Sequence, residues 1–180
     1  MHAEVPVMVL GMSTATFTLA HVMLSLTAIG SGSVVAVGMW SGERLDGWTG
    51  LFLATTVLTS VTGFLFHSAR FAPPHLIGLL SLLLLLLAIL ARYSYQMFGP
   101  WRWVYVLSAM LALYLNVFVA VAQAFQKLPL LQPLAPTGTE PPFAIAEGLV
   151  LAAFTVFTVV ALRRFYPARP TGVVGIGLSS

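Results

Sequence analysis

The chain has 180 residues, 59% of them hydrophobic and only 7% charged, with a mean hydropathy of +0.97. Soluble domains carry roughly a quarter charged residues, so this composition excludes an ordinary soluble domain and points to the membrane. The net charge of +3 comes from eight Lys and Arg against five Asp and Glu, and the absence of Cys excludes disulfides, thiolate metal sites and Cys nucleophiles.

The N-terminal stretch MHAEVPVMVLG has no Lys or Arg and carries Glu4. It lacks the basic start of a secretory signal, so the first helix is expected to stay in the mature chain. The first apolar region exceeds about 30 residues from Val5, which as one helix would be about 50 Å long. Residues 6–16 are therefore expected to project beyond the bilayer, bend at Gly11, or lie along its surface.

Five apolar segments follow, over about 17–40, 50–68, 74–92, 101–126 and 143–163. Each is near the roughly 20 residues a hydrocarbon core demands. The expected fold is all-α, one transmembrane helical bundle with five spans and no separate soluble domain; four spans plus a re-entrant segment is the alternative. The connections are a charged turn at 41–48, a Pro-limited turn at 69–73 and a tight break at Phe98-Gly99-Pro100. A Pro-rich loop at 127–142 is expected to run extended on the surface, and 172–180 reads as a flexible tail.

With five spans, one side receives Arg44, Arg92, Arg102, Arg163, Arg164 and Arg169, and the other only Arg70 and Lys127. The positive-inside rule then puts the N-terminus outside and the C-terminus in the cytoplasm of a bacterial inner membrane. Trp40, Trp48, Trp101, Trp103, Tyr93, Tyr95, Tyr105 and Tyr166 fall on the Arg-rich side as an interfacial belt. The arginines are read as topology determinants.

In the first span, Thr14, Thr18, His21, Ser25, Ala28, Gly32 and Ala36 share one helical face. Small and polar stripes of this kind let membrane helices pack closely. Thr56, Ser60, Gly63 and His67 repeat the pattern in the second span. Ala109, Ala112, Asn116, Ala120, Gln123 and Lys127 repeat it in the fourth. In the fifth, Glu147 aligns with Ala144, Thr155 and Thr158, while the third span is apolar all round and expected to be peripheral.

Counting about 1.5 Å per residue from the Arg-rich side places His21, His67, His75, Gln123 and Glu147 some 24 to 30 Å away, at one level just inside the outer interface. Intramembrane ionisable groups are costly enough to suggest function. Imidazoles with a carboxylate suit a divalent metal, so His21, His67, His75 and Glu147 are candidate ligands. Two imidazoles on facing helices could hold haem b, and the set with Gln123 could hydrogen-bond a quinone. None has diagnostic spacing: HExxH and CxxCH are both absent. An interfacial His is also common as a merely solvated residue, a His–Glu or His–Thr bond can simply tie helices together, and Asn116 reads as packing glue with Ser25 and Gly32. No catalytic set, phosphate loop or nucleic-acid-reading patch is apparent.

The phrases LFLATTVLTSVTGFLF, ARYSYQMFGPWRWVY, LYLNVFV, VAQAFQKLP and LAPTGTEPPF resemble a set of small uncharacterised polytopic bacterial inner-membrane proteins, over roughly Thr18 to Arg164. The resemblance implies a helical membrane fold and no catalytic residues. Three roles compete: an accessory or assembly subunit embedded in lipid beside other membrane subunits, a haem-, quinone- or metal-binding module at the outer face, and a small carrier or channel. The small size and the Leu-rich third span favour the first.

Overall fold

The computed structural model describes residues 8, 9, 11–66 and 73–166. Gly11 takes φ +77°, a left-handed conformation that favours glycine, and turns the chain between two short strands. These are β1 (Met8–Val9) and β2 (Met12–Ser13), antiparallel with Met8 opposite Ser13 and Val9 opposite Met12. The bend at Gly11 is thus realised, and helix begins only at Thr14. Ser13 makes the start sharp, its Oγ accepting from the Thr16 N–H at 3.2 Å as an N-cap.

Five α-helices follow among the described residues: α1 (Thr14–Ser41), α2 (Asp46–Phe64), α3 (Pro73–Ile89), α4 (Trp101–Lys127) and α5 (Pro141–Arg164). α1 ends at Gly42, whose φ of +79° lets the chain turn without a Cβ clash. α2 starts earlier than its apolar run, because Asp46 supplies a carboxylate to the first turn. It ends at Phe64, short of Ser68.

Beyond α3 the backbone widens into one π-helical turn, Leu90–Ser94. Gln96, Met97 and Gly99 then take positive φ in the tight break before α4. The loop after α4 is more compact than the extended path expected from its prolines. It folds into a 3₁₀ turn (Gln132–Leu134), and the Glu140 carboxylate then gathers the Thr137 hydroxyl and the N–H groups of Thr137 and Thr139 at 2.8 to 3.0 Å. Local side-chain acceptors replace the helical bonds that proline forbids.

The helices run up and down. α4 lies against α1, α3 and α5, while α2 packs on α1 and α3. The small stripes drive this arrangement. A Cβ on Gly32 would lie 2.6 Å from Leu113 and 2.8 Å from the Phe52 ring, so α1, α2 and α4 meet at that glycine. Around it lie Val35, Ala36, Phe52, Ala109 and Ala112, all buried. Thr49, Thr55 and Thr56 are buried on α2, each hydroxyl donating to the carbonyl four residues back at 2.7 to 2.8 Å. That self-satisfaction lets a Thr-rich helix sit inside an apolar bundle.

Among the described residues, four helices are long and apolar enough to cross a membrane: α1, α3 with its π turn, α4 and α5. The polar face of α2 keeps it outside that group. The helix with the least buried span is α5, at 11% against 28% for the third span. The peripheral position expected of the Leu-rich third helix therefore belongs more strongly to α5.

Candidate functional site

At the end of the bundle where α1 begins, His21 faces α2. Its Nδ1 lies 2.8 Å from the Thr62 hydroxyl, and its ring meets Phe66 edge-on at 5.1 Å. Thr62 Oγ1 also sits 2.7 Å from the Leu58 carbonyl. His21 Nδ1 and the Thr62 hydroxyl share one hydrogen bond whose direction depends on the imidazole tautomer, and that bond ties α1 to α2. No hydrogen bond to Nε2 is formed among the described residues. Ser25, on the same face, donates back to the His21 carbonyl at 3.0 Å.

Glu147 projects inward from α5 and is 9% exposed, and neither carboxylate oxygen has a hydrogen-bond partner among the described residues. Ala144 and Thr155 are exposed rather than inward. Phe143, Phe154, Phe157 and Ala161 set the packed face with Glu147 instead, Phe143 against Phe125 and Phe154 against Tyr114. Large rings fill the seam where small residues were expected.

The other expected site residues separate. Gln123 is exposed near the end of α4, and His75 lies half-buried against Phe64 at 5.7 Å. His67 lies outside the described residues, as does the 172–180 tail. Among the described residues no three His, Asp or Glu side chains gather in a metal-binding group. Asn116 donates to Thr56 Oγ1 at 3.3 Å and ties α4 to α2. Gly32 is the close-packing point.

The opposite end of the bundle holds a polar cluster that sequence reading passed over as topology signals. Arg92, in the π turn and 1% exposed, binds Asp46 at the start of α2 and donates to the Tyr105 hydroxyl at 3.0 Å. Arg44 Nε reaches the same Asp46 oxygen at 3.0 Å. Tyr105 is buried and so leaves the interfacial belt, whereas Trp48, Trp103, Tyr93, Tyr95 and Tyr166 are exposed there. Arg102 is also buried. Its Nη1 donates to the Leu162 and Phe165 carbonyls at 2.8 Å, capping the end of α5, and its guanidinium lies 4.1 Å from the Tyr166 ring centre. The signal that could have found the cluster was present: Asp46 opens one helix and Arg92 closes the next, so antiparallel packing brings the opposite charges to one end.

The chain matches no protein-family model, no curated protein and no solved structure.

Proposed function

We propose that the protein is a five-span accessory or assembly subunit of a larger complex in a bacterial inner membrane. The observation that carries this reading is that polar groups at both ends and in the middle of the bundle are spent on helix-to-helix ties. His21 holds α2, Asn116 holds Thr56, Arg92 joins α2 to α4, and Arg102 closes α5 onto α4. Support for α2 as a fifth span comes from its two ends. Asp46 is tied to Arg92 in the π turn that follows α3, and Thr62 to His21 near the start of α1, so its 19 residues, about 28 Å of helix, run beside its neighbours. Five passes put Arg44, Arg92, Arg102, Arg163 and Arg164 on one side, and that side is cytoplasmic by the positive-inside rule. Solubilisation in mild detergent followed by native gel analysis is expected to show the protein in a defined assembly larger than itself. Migration solely as the isolated chain would count against the role.

A second reading is a haem-, quinone- or metal-binding module at the outer face. The setting of His21 favours it: a ligating imidazole ordinarily hydrogen-bonds a fixed partner through its other ring nitrogen, and the Thr62 hydroxyl stands 2.8 Å from Nδ1. An absorption spectrum and metal analysis of the purified protein test it. A Soret band or stoichiometric metal lost in His21→Ala would establish the module, and a colourless, metal-free protein from which no quinone can be extracted would remove it.

A further inference from the structure

Helix α5 carries two features that the bundle itself does not use. The first is an open face. Its span is 11% buried, the least of the four membrane-length helices, and Ala144, Gly148, Ala152 and Thr155 are all exposed. Residues at i, i+4, i+8 and i+11 form one stripe along a helix. A Cβ at Gly148 would meet nothing within 4 Å. Small residues so placed let a second helix backbone approach closely, as Gly32 does inside the bundle, whereas contact with lipid tails asks for no such gap.

The second is Glu147. It is 9% exposed, and both carboxylate oxygens are buried without a hydrogen-bond partner among the described residues. It stands where the packed face of α5 meets the stripe. Phe143 and Phe154, four before it and seven after, pack against α4, while Ala144 and Leu151, three before it and four after, are exposed. A carboxylate left alone inside the membrane is costly, and lipid tails offer it neither a donor nor a charge. A cation would complete it. The chain supplies none: among the described residues the arginines stand at the opposite end of the bundle, His21 is engaged by α2, and Lys127 at the end of α4 forms no ion pair with it. A second copy of the chain does not supply one either, because a two-fold pairing on this stripe sets Glu147 against Glu147.

We propose that the Ala144–Gly148–Ala152 stripe seats one membrane-spanning helix of a partner subunit, and that a Lys or Arg of that helix pairs with the Glu147 carboxylate. The site rests on the accessory-subunit reading and adds where the partner binds and by what chemistry. A helix without the cation leaves the carboxylate unpaired, so the same group that binds the right partner rejects others.

The experiment uses the full chain in membranes of the cells that produce it, solubilised in mild detergent. The fraction migrating in the larger assembly on native gels is the readout, with mass spectrometry to identify its subunits. Gly148→Leu and Ala152→Leu fill the stripe, and each is expected to lower that fraction about tenfold. Glu147→Gln keeps the shape, removes the charge, and is expected to lower it by at least about tenfold. Ala153→Leu, exposed on the other flank of α5, is the control and is expected to assemble as wild type. The isolated stripe and Glu147 variants are expected to melt at or above the wild-type temperature, which separates docking from folding. Glu147→Lys is expected to abolish assembly, and exchange of the partner's pairing Lys or Arg for Glu to restore it.

Wild type that migrates only as the isolated chain overturns the accessory reading and this site with it. An assembly that forms in wild type and survives either the two stripe variants or Glu147→Gln overturns the site and leaves that reading standing. The site also falls if the assembly contains this chain alone, which marks a second copy as the occupant, or if Ala153→Leu loses as much, which marks a general effect of bulk. Lower melting temperatures in all the variants, or a charge exchange that restores nothing, overturn it as well.

Discussion

Arg92 and Tyr105 meet inside the bundle with Nη1 and the phenol oxygen 3.0 Å apart, the guanidinium carbon lying 5.2 Å from the ring centre. Neither residue reaches water on its own, since each is 1% exposed. The charge is answered by Asp46, whose side chain is 70% exposed, while Arg92 Nε has no partner among the described residues. One carboxylate at the rim thus holds a buried cation in place.

Asp46→Ala should therefore be costly, because it strands Arg92 rather than because it deletes a surface pair. Breaking a buried pair from one side costs about 3–5 kcal/mol, and the exposure of Asp46 lowers the expectation here to about 2–3 kcal/mol. Unfolding in detergent by SDS or urea measures it. The double variant Asp46→Ala with Arg92→Met is expected to recover most of the loss, and additive destabilisation would contradict the coupling.

Gly32 tests the packing. A Cβ there would stand 2.6 Å from the Leu113 side chain and 2.8 Å from the buried Phe52 ring. The leucine tip can move, but the ring is enclosed. Gly32→Val is expected to destabilise by about 1–3 kcal/mol through overpacking. Gly30→Val on the same helix, with nothing within 4 Å of its Cβ position, should cost less than half as much. Equal melting temperatures for the two variants would remove Gly32 as the packing point.

Glu147 should behave in the opposite sense. Two buried oxygens without partners carry a desolvation penalty of about 1–3 kcal/mol, so Glu147→Leu is expected to raise the thermal stability of the purified protein. If the carboxylate serves a partner or ligand, the same variant gains stability while losing that association. A drop in stability would show that the isolated chain already satisfies the carboxylate.

The loop before α5 carries a pH signature. Desolvation pushes the Glu140 carboxyl up, and hydrogen bonds from the Thr137 hydroxyl, the Thr137 N–H and the Thr139 N–H outweigh it, holding the group at about 2. A depressed folded value means the bonds are complete above the ordinary carboxylate range and lost as pH falls through about 2. Amide resonances of Thr137 and Thr139 are expected to be steady from neutral pH to about 4 and to move below it. Thr137→Val should return the Glu140 titration toward the ordinary range, measured by carboxyl chemical shift.

Composition and helical spacing alone determined that this chain is an all-helical membrane protein. A chain poor in charge and rich in Leu, Val and Phe is suited to the bilayer, and small residues spaced three and four apart favour close helix contacts. Gly32, Thr56, Ser60, Ala109 and Ala112 duly lie in the packed interior. Rise per residue is constant, so the end of its helix on which each residue stands was legible. Azimuth and partner were not. Only the neighbouring helix shows that His21 meets the Thr62 hydroxyl on α2. Arg92 and Arg102 read as surface anchors because sequence shows a charge at a helix end without showing what closes over it. Tertiary packing turned one into a buried tie to Asp46 and the other into the cap of α5.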